Sequence, residues 1–331
     1  MNRNPGTIDP ARRDFILRSA KATLMAAGAA AIGLGLWRGP GSGPDAQVAG
    51  AAPLPDYAMP QQSGRLAVAH GSKRSVNVRT ALGALGGLAI FVQPGDRVLL
   101  KVNAAFATAP ILSATTHPDL VSTVTRMCFE AGAAQVLVTD NPIGDSAGCF
   151  ELSGIGPAAR RAGAKVIYPQ AAMFESYSVP RAALIRQWPV LSAPLRQVDK
   201  LIGLCPVKDH QRSGASMTLK NWYGLLGGRR NIFHQEIHTI IAELAMMITP
   251  TLVILDGTQT MMRNGPTGGS LDDLKATRTL IAGTDPVAVD AMGAGLLDKT
   301  AADLPHLALA EKAGAGTVDF RSLGPIIAGG E

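Results

Sequence analysis

The chain has 331 residues, 47% of them hydrophobic and 17% charged, which is enough apolar material for the core of one large or two modest domains and too much for a disordered chain. Net charge is +6, but six of the 31 basic and three of the 25 acidic side chains fall in residues 1–51, so the remaining 25 against 22 leave a nearly neutral body. No basic stripe interleaved with aromatics is present, which argues against nucleic-acid binding.

The chain opens with "ARRDFILRSAKATLMAAGAAAIGLGLW", in which Arg12 and Arg13 precede an Ala/Gly/Leu run from Ala22 to Trp37. This has the form of a twin-arginine export signal. The run is short and rich in Ala and Gly, whereas a permanent span needs about 20 strongly apolar residues. Ala49 and Ala51 offer an A-x-A cleavage site. The expectation is a signal segment over 1–51 that engages the twin-arginine export machinery and delivers the protein to the periplasm or another extracytoplasmic location, either cleaved or, as the alternative, retained uncleaved as a membrane anchor. Cys128, Cys149 and Cys205 are the only cysteines and form no C-x-x-C, so one chain does not supply the four thiolates of an iron–sulfur or zinc site.

Residues 52–64 read as a linker and 65–325 as a single α/β domain. "RLAVAH" and "RVLLKVN" are buried strands flanking a helix near Val76–Val92, and "HPDLVSTVTRMCFEAG" is a helix with Pro118 at its first position and Gly132 at its end. "QVLVTD" is a strand, "GPAARRAG" a short helix and "KVIYP" a strand. "VDKLIGLCPVK" is a strand, and "SMTLKNWYGLLG" and "HQEIHTIIAELAMMI" are helices. "TLVILDG" and "TRTLIAGTD" are strands and "PVAVDAMGAGLL" a helix, with Asp285 as its N-cap and Pro286 at the first position. Short apolar strands alternating with helices predict a mainly parallel sheet with helices on both faces, a three-layer, doubly wound α/β fold.

Such sheets bind ligands beyond the carboxyl ends of their strands. The polar residues that end these strands are His70, Lys101 with Asn103, Asp140 with Asn141, Lys208 with His210, and Asp256. Lys101, Lys208 and His210 are the candidate catalytic residues, His210 as the proton carrier because imidazole titrates near neutrality. Asn103, Lys220, Asn221, Asp256 and Asp290 are the candidate ligand-binding residues. Each lysine has a plainer alternative, a stem lying on the fold with its ammonium in water. His234 and His238, four apart on one predicted helical face, are candidate ligands for a divalent metal, against the alternative of surface histidines. No P-loop, G-x-G-x-x-G after the first strand, or G-x-S-x-G elbow is present.

"KVN", "THPDLV", "VTDNP", "VKDH", "TLKNWYGLLGG", "ILDG", "NGPTGG" and "AGTDPVAVDAMGA" occur in this order over Leu66–Leu297. In them the chain resembles the family catalogued as domain of unknown function 362. That resemblance implies redox surroundings, since many relatives carry a ferredoxin-like segment for iron–sulfur clusters. The cysteines here do not repeat that segment, so no intrinsic cluster is expected and the cofactor stays open. Two functions follow: an exported enzyme whose Lys/His/Asp pocket binds a small anionic or metal-bound ligand, or a non-catalytic accessory module serving an envelope redox partner.

Overall fold

A computed structural model describes residues 52–329, so the signal segment read at 1–51 lies outside the described residues. The first half alternates strand and helix: β1 (Leu66–His70), α1 (Arg74–Ala84), β2 (Arg97–Lys101), α2 (Pro118–Glu130), β3 (Gln135–Thr139), α3 (Ser146–Leu152), α4 (Ile155–Arg161) and β4 (Lys165–Ile167). A two-stranded excursion follows, β5 (Phe174–Tyr177) with β6 (Trp188–Leu191). The chain then makes β7 (Lys200–His210), β8 (Gly214–Ser216), α5 (Thr218–Asn221), α6 (Ile237–Met247) and β9 (Leu252–Met261). It ends with β10 (Leu274–Lys275), β11 (Thr279–Gly283), α7 (Pro286–Gly293), α8 (Pro305–Lys312) and β12 (Ile326–Ala328).

The main sheet runs β12-β1-β11-β9-β7-β2-β3-β4, with β8 and β10 paired to the long strands β7 and β9. From β9 through β7, β2 and β3 to β4 every pairing is parallel. β11 departs from the all-parallel expectation, running antiparallel to both β9 and β1. The segment joining β9 to β11 explains this: it folds back through β10 onto β9 and has no crossover helix, which a parallel return requires.

The sheet strands are continuous apolar runs because both faces are covered. Leu99, Leu201 and Val253 face a core with α6, α7 and α8, while Val98, Leu100, Ile202 and Ile254 face one with α1, α2 and α4. Three layers result. Helix signals behaved as expected where capping was explicit: Pro118 starts α2, and Asp285 caps α7 by accepting from the Ala288 amide at 2.9 Å. The two helices expected around 216–248 differ. The first is a single α turn, α5, continuing as a 3-10 turn over Trp222–Leu225, and the second is 3-10 over Arg230–Glu236 before α6 begins. Gly224, Gly227 and Gly228 interrupt the first helix. Residues 52–64, read as a linker, lie against the domain, with Tyr57 only 4% exposed and its hydroxyl donating to the Leu195 carbonyl.

Candidate functional site

β2 and β7 are neighbours whose connections leave in opposite directions, toward β3 and toward β9, so the crevice outside their carboxyl ends is a topological switch point. A cavity of about 870 Å³ opens there. It is bounded by Asn103 after β2, Asp140 and Asn141 after β3, Lys208 and His210 at the end of β7, and Lys220 and Asn221 on α5. The small β5–β6 sheet adds Phe174 and Pro189 as a wall. Glu243 of α6 secures the loop between those strands, accepting from the amides of Ala183, Leu184 and Ile185 at 2.6–3.1 Å.

Lys101 lies beneath this cavity instead of lining it. Fully buried, its Nζ meets Asp140 Oδ1 at 2.7 Å and donates to the carbonyls of Val102 at 2.7 Å and Asn221 at 2.9 Å. Its three ammonium protons are thereby used, which explains why a lysine tolerates complete burial. Burial nevertheless lowers its pKa. Gly224 passes so close over this pair that a Cβ would strike the Asp140 carboxylate and come within 2.8 Å of Lys101 Nζ. Lys101, expected among the catalytic residues, thus stands beneath the cavity in contacts that tie β2, β3 and α5 together.

Asn103 and Asn221 form the next layer. Asn221 Nδ2 donates to the carbonyls of Lys101 and Leu204, and Asn103 Nδ2 donates to Asn221 Oδ1 at 3.3 Å. Asn103 Oδ1 accepts from Lys208 Nζ at 3.2 Å, and the Ala114 carbonyl accepts a second Lys208 proton. Among the described residues no carboxylate lies within ion-pair distance of Lys208 or of Lys220. Burial and the neighbouring Lys220 push Lys208 down to about 7, and burial and Arg230 push Lys220 down to about 8. Each amine stands over an aromatic face, Lys208 at 5.3 Å from the Phe106 centroid and Lys220 at 5.2 Å from Tyr223.

His210 corrects the expectation of a proton carrier titrating near neutrality. Its Nδ1 accepts from the amides of Ser213 at 3.2 Å and Arg212 at 3.3 Å, which leaves the proton of the neutral ring on Nε2. Burial, with Lys220 next, pushes it down to about 3. It is a neutral hydrogen-bond donor. His234 also borders the cavity, its ring nearly parallel to that of His210 with centroids 6.0 Å apart.

The remaining expected residues lie elsewhere. Asp256 points toward α1, where Arg74 Nε meets it at 2.7 Å, because residues of β9 alternate between faces and Asp256 shares that of Ile254. Asp290 on α7 caps α5, accepting from Thr218 N at 2.8 Å, Thr218 Oγ1 at 2.6 Å and Leu219 N at 2.9 Å. Burial raises it to about 7. His234 and His238 do not share a helical face, because the helix begins only at Ile237; His238 instead pairs with His306 of α8, Nδ1 to Nδ1 at 3.2 Å. No group of three or more His, Cys, Asp or Glu side chains that could hold a metal occurs among the described residues. The three cysteines are free and buried on α2, α3 and β7, a set that does not fit an iron–sulfur cluster.

Asp140 and Asn141 belong to the site through the strand-end rule, but Tyr223 and Arg230 escaped it. Arg230 donates to the carbonyls of Tyr223 and Leu226 through one terminal nitrogen and of Asn141 and Pro142 through the other, clasping the loop after β3 to the glycine-rich turn. Nothing in the spacing of "GGRRN" signals this. The balance of charge follows: Asp140 is matched by Lys101, and among the described residues Lys208, Lys220 and Arg230 have no carboxylate at ion-pair distance.

Fold and site thus define a three-layer α/β protein with a cationic crevice at its switch point. The chain belongs to the family described as domain of unknown function (DUF362), whose model matches residues 98–295. That range spans every pocket residue named above. The chain is also 29% identical over 246 residues to the thylakoid-associated protein sll1697 of Synechocystis sp. (strain ATCC 27184 / PCC 6803 / Kazusa), covering 72% of this chain and 74% of the relative. No solved structure matches it.

Proposed function

We propose that this chain is an exported binding protein whose crevice between β2 and β7 takes a small anionic ligand. The single observation that carries the reading is the set of three cations, Lys208, Lys220 and Arg230, with no carboxylate at ion-pair distance among the described residues. Lys208 and Lys220 hold the anion, Asn103 positions Lys208, and His210 donates from Nε2. Arg230 shapes the wall and adds positive potential. Mutual repulsion among these groups costs on the order of a kcal/mol or more per close pair at an effective dielectric near 20, and a bound anion offsets it.

Binding without turnover is favoured over catalysis by the state of His210, which stays neutral well below neutrality, and by Asp140, whose charge Lys101 already matches. An accessory role beside an envelope redox partner fits this reading, and the thylakoid association of the Synechocystis relative supports a membrane-proximal setting. Were turnover observed, Lys208 and not His210 would be the group to carry a proton, its pKa lying at about 7.

Calorimetric titration of the purified protein with phosphate and with small carboxylates tests the proposal. Lys220→Met should weaken binding by about tenfold or more, the worth of one charge-assisted contact, while leaving the melting temperature near that of the parent. Equal affinity in the parent and the variant would sink the role given to Lys220.

A further inference from the structure

We infer that the ligand is an organic anion carrying an apolar body, with its phosphate or carboxylate head at Lys208 and Lys220 and the body against the wall made by Phe106, Ile143, Phe174 and Pro189. This rests on the anion reading above and names its ligand class. Volume is the first argument. An inorganic oxyanion fills only a few water volumes of about 30 Å³ each. The cavity of about 870 Å³ falls in the class that takes organic ligands, about 300–1,000 Å³.

The second argument is where the apolar residues come from. Lys208 and Lys220 stand on β7 and α5, whereas Phe106 follows β2, Ile143 follows β3, and Phe174 and Pro189 come from the β5–β6 sheet. Three separate segments supply apolar side chains to a crevice whose floor is polar. Ile143 is 72% exposed although it borders the cavity, so it has apolar surface left for a ligand to cover. The wall is also set in advance, because Phe174 packs so closely on the glycine turn that a Cβ at Gly227 would lie 2.7 Å from its ring. Phe106 lies under the Lys208 amine, so a head group held there puts the adjoining carbons beside a ring.

The experiment titrates the exported protein with inorganic, methyl, butyl, hexyl and phenyl phosphate, and in parallel with acetate, butyrate and hexanoate. A fully buried methylene is worth about 0.8 kcal/mol, a factor of about four in affinity. Hexyl phosphate or hexanoate should therefore bind at least about tenfold tighter than the one- or two-carbon member of its series. Ile143→Asn should reduce that gain per methylene. A lipid or a free metabolite could supply this chemistry: retention on phosphatidylcholine vesicles doped with phosphatidic acid, reduced by the same substitution, identifies a lipid. Tighter binding of soluble homologues without vesicle retention identifies a metabolite, and either result upholds the inference. If the inorganic or shortest anions bind and the longer homologues bind no tighter, the inference is overturned while the anion reading stands. If no member of either series binds, both fall.

Discussion

Lys101 and Lys208 both stand near the ends of strands, yet only Lys101 has a carboxylate at ion-pair distance, and that difference assigns their roles. Lys101→Met would leave the Asp140 carboxyl group buried and without its cation, a change that costs about 3–5 kcal/mol in comparable buried pairs. Chemical denaturation should register that loss, and a variant as stable as the parent would show the pair to be dispensable. Lys208 lacks such a partner, and its pKa of about 7 makes ligand affinity depend on pH near neutrality. The protonated amine is the form that holds an anion, so affinity should fall as pH rises through about 7 and again through about 8, where Lys220 follows. A drop of about tenfold or more between about pH 6 and pH 9 is expected, and a flat profile would remove both lysines from the ligand. The effect on folding has the opposite sign. The unfolded lysine stays protonated to about 10.4 while the folded one loses its proton near 7, so the burial cost of Lys208 is fully present below 7 and is relieved between those values. These lysines were legible as strand-end residues; whether each faced a carboxylate or a cavity was not, because that depends on Asp140 and on the course of α5.

At the scale of elements, α5 is one turn long and is too short to be stable by itself. Its first two amides and the Thr218 hydroxyl are fixed instead from α7, by the three bonds that Asp290 accepts from Thr218 and Leu219. Asp290→Ala therefore strands buried donors, at about 1–3 kcal/mol each, and frees the segment that carries Lys220 and Asn221. Stability and anion affinity should fall together in this variant, whereas Lys220→Met should lower affinity alone. Loss of stability with affinity intact would refute the coupling. The motif around Asp290 was conspicuous as a carboxylate among small and apolar residues, but its partner lies some seventy positions earlier in the chain, a pairing that spacing cannot reveal. Helices with explicit signals, such as Pro118 at the start of α2 and Asp285 before α7, were readable for the contrary reason that their caps are local. The 3-10 stretch at Arg230–Glu236 broke the assumed alignment of His234 with His238 because fourfold spacing puts residues on one face only while the helix keeps 3.6 residues per turn.

Across the whole molecule, alternation of strands and helices was enough to place the crevice at the carboxyl edge, since topology gathers strand ends whatever lies between them. The reversal of β11 departs from the all-parallel reading although its cause was present in it, since the sequence sets two strands in succession with no helix between them, and a parallel return needs a crossover. The strand order has a consequence for assembly: β1 sits between β11 and β12, pairing Leu66 with Gly283 and Ala67 with Ile326. The first strand of the sheet therefore finds both neighbours only when nearly the whole chain has been made, and long-range pairing of this kind slows folding. The proposed export by the twin-arginine route, which carries folded chains, is tested at Arg12 and Arg13. Replacing both arginines with lysine keeps the charge but removes the planar guanidinium pair, so the receptor contact should fail while the domain folds unchanged. The double variant should accumulate in the cytoplasm as a soluble protein that binds the same anions as the parent, measured by fractionation and titration. Export at the parent's level would exclude the twin-arginine route.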